Sequence, residues 1–189
     1  RLRHIGRANT RRGSRRNIVA HYDLGNEFYG LWLDPTMTYS SALYEGAEGQ
    51  ALEAAQAAKY ERILNQLGAR QGDSILEIGC GWGGFAETAA RRGMRVTGIT
   101  ISREQLEYAQ ARLHRAGLSD RVDLQFRDYR DIEGRYHGLA VTTAVPFATM
   151  EPSMIVAVAH KGAKLQRLVQ ADAFDPQAQA PATQLRVRV

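Results

Sequence analysis

The chain has 189 residues, of which 44% are hydrophobic, so one folded domain with its own core is expected. No apolar run approaches the roughly 18 to 20 residues of a membrane-spanning helix, and no secretory signal follows the basic N-terminus. The single cysteine, Cys80, excludes an internal disulfide, and the five scattered histidines lack metal-ligand spacing. We therefore expect a cytoplasmic protein without a metal site.

The net charge of +5 originates in the N-terminal segment. Residues 1–16 carry seven arginines and no acid, whereas the rest of the chain has 18 basic and 20 acidic residues. This basic arm fits a solvated linker, a contact with nucleic acid, or anionic lipid head groups, which attract each nearby basic residue by about 1 kcal/mol. Because the first residue is Arg1 rather than Met, we expect a fragment or a processed chain.

The first predicted elements are helical. Residues 17–33 are rich in aromatic side chains and indicate helical pieces around a turn at residues 23–26. Residues 34–46 are predicted to be mostly loop. The clearest helix is predicted over residues 50–67, and Gly68 provides its stop. The positions that recur with helical spacing on its apolar face are Leu52, Ala55, the stem of Lys59, Ile63 and Leu67.

Strands and helices then alternate along the chain. Strands are predicted at residues 74–79, 95–100, 122–126 and near 138–145, and helices at residues 83–92 and 102–116. Ser102 and Gln105 have the spacing of a capping box at the start of the second of these helices. The alternation predicts an α/β fold, in which a parallel sheet carries helices on both faces.

A glycine-rich turn joins the first strand to the next helix in the stretch SILEIGCGWGGFAETAA. Strand, glycine turn and helix together form a nucleotide-binding element. Gly79, Gly81 and Gly84 fit the dinucleotide pattern G-x-G-x-x-G, whereas Gly79, Gly81 and Gly83 equally fit the S-adenosylmethionine (SAM) pattern G-x-G-x-G. The glycines alone therefore leave the cofactor open.

Residues at the ends of the predicted strands favour SAM. The second strand ends at Thr100, without the acid that holds the ribose of a dinucleotide. Glu77 places a carboxylate before the glycines, where it can receive an amino group and would repel a pyrophosphate. Asp128 and Tyr129 follow the third strand, where an acid can accept the adenine amine and an aromatic ring can stack on the base. This order predicts a Rossmann-like SAM-dependent methyltransferase.

Four stretches of the chain resemble the cyclopropane-fatty-acyl-phospholipid synthase family, to which the mycolic acid cyclopropane synthases belong. They are NIVAHYDLGNEFYGLWLDPTMTYSSALY, KYERILNQLGARQGDSILEIGCGWGGFAETAA, VTGITISREQLEYAQARL and FRDYRDIEGRY, and the resemblance runs from about residue 9 to residue 136. It implies transfer of a methyl(ene) group from SAM to the cis double bond of unsaturated phospholipid acyl chains. It further implies a helical cap over the cofactor at residues 17–70 and a partial SAM-binding domain at residues 71–145.

The resemblance also implies the residues of the site. Tyr39 and Ser40 are expected at the methionine end of SAM, Glu77, Gly79 and Gly81 where the backbone approaches it, Thr100 and Gln105 at the ribose, and Asp128, Tyr129 and Arg130 beside the adenine. Many members have a cysteine near a bound bicarbonate base where this chain has Ser41, which makes Ser41 the candidate catalytic residue. The implied partners are unsaturated phospholipids at the inner membrane face, and nucleic acid is not expected as a partner.

After Tyr136 the resemblance ends. The second half of the family, with further active-site residues, is not recognised, and Glu151 is left without a role. We expect a sheet truncated after the third or fourth strand, with an open apolar edge and marginal stability, and a poorly ordered tail at residues 146–189. A truncated or frameshifted gene would produce such a chain.

Two alternative functions remain. One is methylation of another small-molecule or nucleic-acid substrate, for which Val145-Pro146-Phe147 is a faint motif. The other is a remnant that binds SAM without catalysis.

Overall fold

The computed structural model describes residues 24–44, 46, 49–142 and 185–188, the last four as backbone only. The predictions for the basic arm, for Glu151, for Val145-Pro146-Phe147 and for most of the tail fall on residues 1–23 and 143–184, outside the described residues.

The elements follow one another as α1 (Gly25–Gly30), α2 (Leu52–Gln66), β1 (Ser74–Ile78), α3 (Gly84–Arg91), β2 (Arg95–Thr100), α4 (Arg103–Arg115), β3 (Val122–Phe126), a 3-10 turn (Tyr129–Asp131), β4 (Glu133–Tyr136), β5 (Gly138–Val141) and β6 (Leu185–Arg188). The strands and helices predicted between residues 50 and 141 are confirmed, and their bounds agree within two residues where both ends are described. Strand β4 was not predicted. Gly68 follows the end of α2 in a left-handed conformation, with φ +59°.

The main sheet has four parallel strands in the order β3-β2-β1-β5. The chain builds outward from β1 to β3 and then returns to the other side of β1. This reversal creates a crevice at the carboxyl ends of the central strands, where open α/β sheets bind their ligands. Glu77 lies on β1 between Gly98 of β2 and Ala140 of β5. The predicted α/β fold is thus confirmed.

Alternate residues of β1 divide the core into two clusters. Ile75 packs with side chains of α2 and α3, including Tyr60 and Phe85. Leu76 points to the other face and packs with Ile132, which follows the 3-10 turn. Such alternation is what a strand with two buried faces requires. Packing against α2 and α3 therefore positions β1 in the sheet, and the glycine turn that follows it.

The fourth parallel strand, β5, lies at the border of the described sheet. All four of its residues are buried, so their side chains are covered. Strand β6 pairs antiparallel with β4, which places residues 185–188 of the predicted tail in a strand. The marginal stability expected from an open edge stays a prediction.

Candidate functional site

The glycine turn has the backbone geometry that its sequence predicts. Gly79, Gly81 and Gly83 have φ values of +77°, +52° and +84°, which side-chain-bearing residues adopt only at a cost. The amides of Gly79 and Cys80 both donate to the Ile99 carbonyl, at 2.9 and 3.0 Å, and tie the turn to β2. The turn therefore presents the start of α3 at the carboxyl edge of the sheet.

The glycines of the turn serve different purposes. A Cβ at Gly83 would lie 3.1 Å from the Cβ of Ala109, and one at Gly84 would lie 2.9 Å from the hydroxyl of Tyr60. At Gly81, a Cβ would meet only the Gly79 carbonyl, at 3.9 Å. Gly83 and Gly84 thus permit close packing against α4 and α2, whereas Gly81 borders open space in which a ligand could approach the backbone.

Glu77 is a buried carboxylate with an unpaired oxygen. The side chain is 1% exposed, and Thr142 donates a hydrogen bond of 2.5 Å to Oε1. Oε2 has no hydrogen-bond partner within the described part of the chain. Burial raises the pKa of Glu77 to about 7, although the Thr142 hydrogen bond and the charge of Lys59 act in the opposite direction. Because buried carboxylate oxygens are rarely left unpaired, this atom fits the cationic amino group of a ligand such as SAM.

Three buried polar residues at the carboxyl end of β2 and the start of α4 hydrogen-bond to one another: Thr100, Ser102 and Gln105. The Gln105 amide donates to Ser102 Oγ at 3.3 Å, which is one half of the predicted capping box. The Gln105 side chain does not complete that box. Its Oε1 accepts instead from Thr100 Oγ1 at 3.4 Å, and Thr100 Oγ1 itself accepts from the Ser102 amide at 3.1 Å. Thr100 and Gln105, both predicted as ribose ligands, therefore touch each other at the sheet edge.

Asp128, Tyr129 and Arg130 form a local cluster after β3. Asp128 accepts hydrogen bonds from the backbone amide and the guanidinium of Arg130, the closest at 2.8 Å to Nη1. The same guanidinium lies over the ring of Tyr129, 4.6 Å from its centroid. The carboxylate predicted to receive adenine is thus already engaged by the neighbouring arginine.

Tyr39, Ser40 and Ser41 lie beside the glycine turn on the loop before α2. The Tyr39 ring contacts that of Trp82, a residue of the turn, with centroids 6.5 Å apart. Ser40 Oγ and the Ser41 carbonyl both accept from the ammonium of Lys59, at 2.6 and 3.0 Å. Ser41, the candidate catalytic residue, is exposed. The structure therefore brings this loop and the turn together, and a contact of Tyr39 and Ser40 with the methionine end of SAM stays a prediction.

Two groups near the site were not predicted from the sequence as functional. Lys59 was placed on the apolar face of its helix as a buried stem, but its ammonium group is buried as well. Trp82 Nε1 donates to Asn26 Oδ1 at 2.6 Å and so fastens α1 to the glycine turn. A tryptophan inside the glycine pattern and a polar residue in the segment HYDLGN were the available signals.

Other chemistry is limited in the described residues. Within them, no helix is long and apolar enough to cross a membrane. The same residues contain no group of three or more His, Cys, Asp or Glu side chains that could hold a metal ion.

The predicted site residues thus lie at the carboxyl ends of neighbouring parallel strands or on the loop that faces them. A parallel sheet of this order, with a glycine turn after its first strand, is common to Rossmann-like folds that bind dinucleotides and those that bind SAM. A family model described as mycolic acid cyclopropane synthetase matches residues 9–147. This family match decides between the two kinds of fold in favour of a SAM-dependent methyltransferase. The chain therefore belongs to this family, which confirms the resemblance stated above.

Known proteins of related sequence and structure cover only part of the chain. A probable fatty acid methyltransferase of Pseudomonas putida is 43% identical over 133 residues, which are 69% of this chain and 34% of that protein. The cyclopropane-fatty-acyl-phospholipid synthase of Escherichia coli is 44% identical over 117 residues, which are 61% of this chain and 29% of that protein. The solved structure of mycolic acid cyclopropane synthase CmaA1, complexed with SAH and CTAB, has a TM-score of 0.63 and 30% identity over 67% of this chain and 45% of that chain. The chain thus spans about a third of these curated relatives.

Proposed function

We propose that this chain forms the cofactor-binding part of a SAM-dependent methyltransferase that modifies the cis double bond of unsaturated phospholipid acyl chains. The observation that carries the proposal is the buried Oε2 of Glu77, which has no hydrogen-bond partner among the described residues and lies on the strand that leads into the glycine turn. The names of the two relatives, a fatty acid methyltransferase and a phospholipid synthase, support a lipid substrate.

The residues present fit SAM by their chemistry. Glu77 would pair with the amino group, and the backbone at Gly79 and Gly81 would lie along the methionine part. Thr100 and Gln105 would take the ribose hydroxyls in place of the acid of dinucleotide sites. Asp128, Tyr129 and Arg130 would border the adenine, with Tyr129 as the stacking surface. When bound, SAM supplies an electrophilic methyl group on a sulfonium.

The chain's own residues would prepare an apolar environment for that group. Tyr29, Met37 and Trp82 form a buried cluster, with Tyr39 packed against it. Aromatic faces at this position would exclude water and tolerate positive charge that develops on an alkene carbon. The hydroxyl of Ser41 would hold a bicarbonate base near this surface.

A peripheral contact with anionic membranes forms part of the same proposal. Leu24, Phe28, Leu31 and Trp32 are exposed and recur with helical spacing on and around α1. The seven arginines of residues 1–16 precede this stripe in the sequence and would complement anionic lipid head groups.

Calorimetry with SAM, followed by a transfer assay, tests the proposal. Vesicles of unsaturated phospholipid, with and without anionic lipid, are incubated with the chain and methyl-labelled SAM. We expect SAM binding, label in the lipid fraction, and more label with anionic vesicles. Saturated phospholipid is the matched control. Binding without label would support the non-catalytic remnant instead, and absence of binding would refute the cofactor assignment.

The glycine turn offers a paired test of cofactor binding against packing. Gly81→Ala is expected to weaken SAM binding at least about tenfold while costing only the roughly 1 kcal/mol of a left-handed alanine. Gly84→Ala is expected to destabilise the fold by about 1 to 3 kcal/mol, because its Cβ would collide with Tyr60. Chemical denaturation and calorimetry measure both effects. Unchanged SAM affinity in Gly81→Ala would contradict the assignment.

A further inference from the structure

The loop that carries Tyr39 is fastened to one face of α2. Gln56 Nε2 donates to the Ser40 carbonyl at 2.8 Å, and Lys59 Nζ donates to Ser40 Oγ and to the Ser41 carbonyl. Farther along, the Leu43 amide donates to the carbonyl of a residue on the first turn of α2, Ala55, at 3.0 Å. These contacts join residues that are 12 to 19 positions apart in the chain, so α2 decides where the loop lies.

Lys59 is the central donor of this arrangement. Its side chain is 2% exposed, and its third acceptor is Gln56 Oε1 at 2.6 Å. An ammonium has three hydrogens, and the three acceptors found here use all of them. A neutral amine has two hydrogens and could keep all three contacts only if the Ser40 hydroxyl turned to donate to it. The ammonium donates to all three acceptors without that change, so the protonated form of Lys59 fits the contacts directly.

The positive charge of Lys59 also acts on Glu77. Burial lowers the pKa of Lys59 to about 8, and the charges of Asp34 and Glu77 oppose that decrease. Reciprocally, the charge of Lys59 opposes the increase that burial causes in the pKa of Glu77. The other titratable groups coupled to Glu77 are Tyr60 and Cys80, and burial raises the pKa of both. Both stay neutral near pH 7.5, which leaves Lys59 as the cation that acts on Glu77 there.

We infer that Lys59 is a positioning residue whose ammonium group holds the Tyr39–Ser41 segment against α2, beside the glycine turn. The same buried charge also acts on the carboxylate that would meet the amino group of SAM. The cofactor part of this inference rests on the proposed function, whereas the loop part does not.

The inference gives SAM binding a narrow pH range. Affinity falls below about pH 7, where Glu77 gains a proton, and above about pH 8, where Lys59 loses one. Without the cation at Lys59, the decrease of SAM affinity at acid pH begins at a higher pH, because Glu77 keeps its proton to a higher pH. The decrease of SAM affinity above about pH 8, which deprotonation of Lys59 causes in the wild type, is absent.

Lys59→Met is the test variant, and Arg62→Met is its control. Arg62 lies on the exposed face of the same helix, so its removal changes net charge equally without touching the loop. Calorimetry with SAM is performed from pH 6 to pH 10. At pH 7.5 we expect Lys59→Met to weaken binding at least about tenfold, whereas Arg62→Met changes it less than about twofold. Gln56→Met keeps the charge of Lys59 but removes one of its acceptors and the donor to the Ser40 carbonyl, so it should retain the wild-type pH range with a smaller loss of SAM affinity.

Hydrogen exchange of the Leu43 amide, measured without SAM, separates the two parts. In Lys59→Met we expect faster exchange at Leu43 while the amides of β1 stay protected, which shows that the variant is folded. Equal protection of Leu43 in wild type and Lys59→Met would overturn the positioning role. An unchanged affinity and pH range in Lys59→Met would overturn the coupling to Glu77. If the wild type itself fails to bind SAM, the proposed function falls, and the exchange result still decides the positioning role.

Discussion

Replacement of Glu77 by Gln is expected to weaken SAM binding by about two orders of magnitude while leaving the protein at least as stable at neutral pH. Gln has nearly the same shape, so the packing of β1 between β2 and β5 is retained. It lacks the charge that would pair with the amino group of SAM, and removing a partner from a desolvated charge pair costs several kcal/mol. It also removes a buried charge that the fold itself must accommodate.

The pH dependence of stability provides the second readout of Glu77→Gln. In the folded protein the pKa of Glu77 is about 7, above the usual glutamate value of 4.5. Between these two pH values the native state therefore binds more protons than the unfolded state. The contribution of Glu77 is therefore fully present below about pH 4.5 and is lost as the pH rises through 7. At 1.36 kcal/mol per unit, the loss is about 3 kcal/mol. Glu77→Gln should lack this decline.

Urea denaturation at pH 5 and pH 7, together with calorimetry at pH 7.5, measures both effects. Glu53→Gln is the control, because Glu53 is an exposed carboxylate on α2. Lys59 does not obscure the wild-type decline, because the lowered pKa of Lys59, about 8, makes a contribution to stability that is constant between pH 5 and pH 7 and changes only at higher pH. A wild-type decline that persists in Glu77→Gln, or an unchanged affinity for SAM, would contradict the assignment.

The elements of the sheet could be predicted because their signals are local. β2 and β3 were predicted with the bounds that the structure has, since apolar residues recur at every second or third position of each short stretch. Ser102 caps α4 as its spacing indicates. The glycine turn could also be recognised, because positive φ angles and close packing are requirements that only glycine meets cheaply.

Features that depend on distant partners were missed. Helical spacing placed Lys59 on the inner face of α2, but the burial of its ammonium depends on acceptors in a loop almost 20 residues earlier. β4 has a polar sequence, and its partner β6 lies about 50 residues farther along the chain. Asp128 was predicted to accept the adenine amine, and its contact with Arg130, only two residues along the chain, depends on side-chain conformations that a sequence pattern does not specify.

Arg112→Met is expected to destabilise the protein by about 1 to 3 kcal/mol, whereas Arg91→Met should cost less than about 1 kcal/mol. Both arginines bind Glu87, but Arg91 is 58% exposed and Arg112 only 19%. Arg112 Nη1 also donates to the Thr36 carbonyl at 2.7 Å, so it joins α4, α3 and the loop before Tyr39. Without Arg112, the carboxylate of Glu87, which is 16% exposed, would keep its ion pair with Arg91, and solvent screens the charge of that exposed arginine.

The acid side of the stability curve distinguishes the two arginines further. Burial alone would raise the pKa of Glu87, but the hydrogen bonds and charges of Arg112 and Arg91 outweigh it and lower that pKa. A carboxyl with a lowered folded pKa contributes stability above its unfolded value and loses that contribution as the pH falls through the folded pKa. Arg112→Met should therefore lose less stability on acidification than the wild type, and Arg91→Met should show a smaller change in the same direction, because Arg112 is the larger cause of the lowered pKa of Glu87.

Urea denaturation at pH 3.5 and pH 7 measures these differences, and SAM calorimetry connects them to the site. Because Arg112 holds the loop at Thr36, three residues before Tyr39, its loss should also weaken SAM binding, which Arg91→Met should leave within about twofold. Equal stabilities for the two variants would mean that the three-way contact contributes no more than a surface ion pair. A large stability loss with unchanged SAM affinity in Arg112→Met would mean that the position of the loop before Tyr39 does not influence cofactor binding.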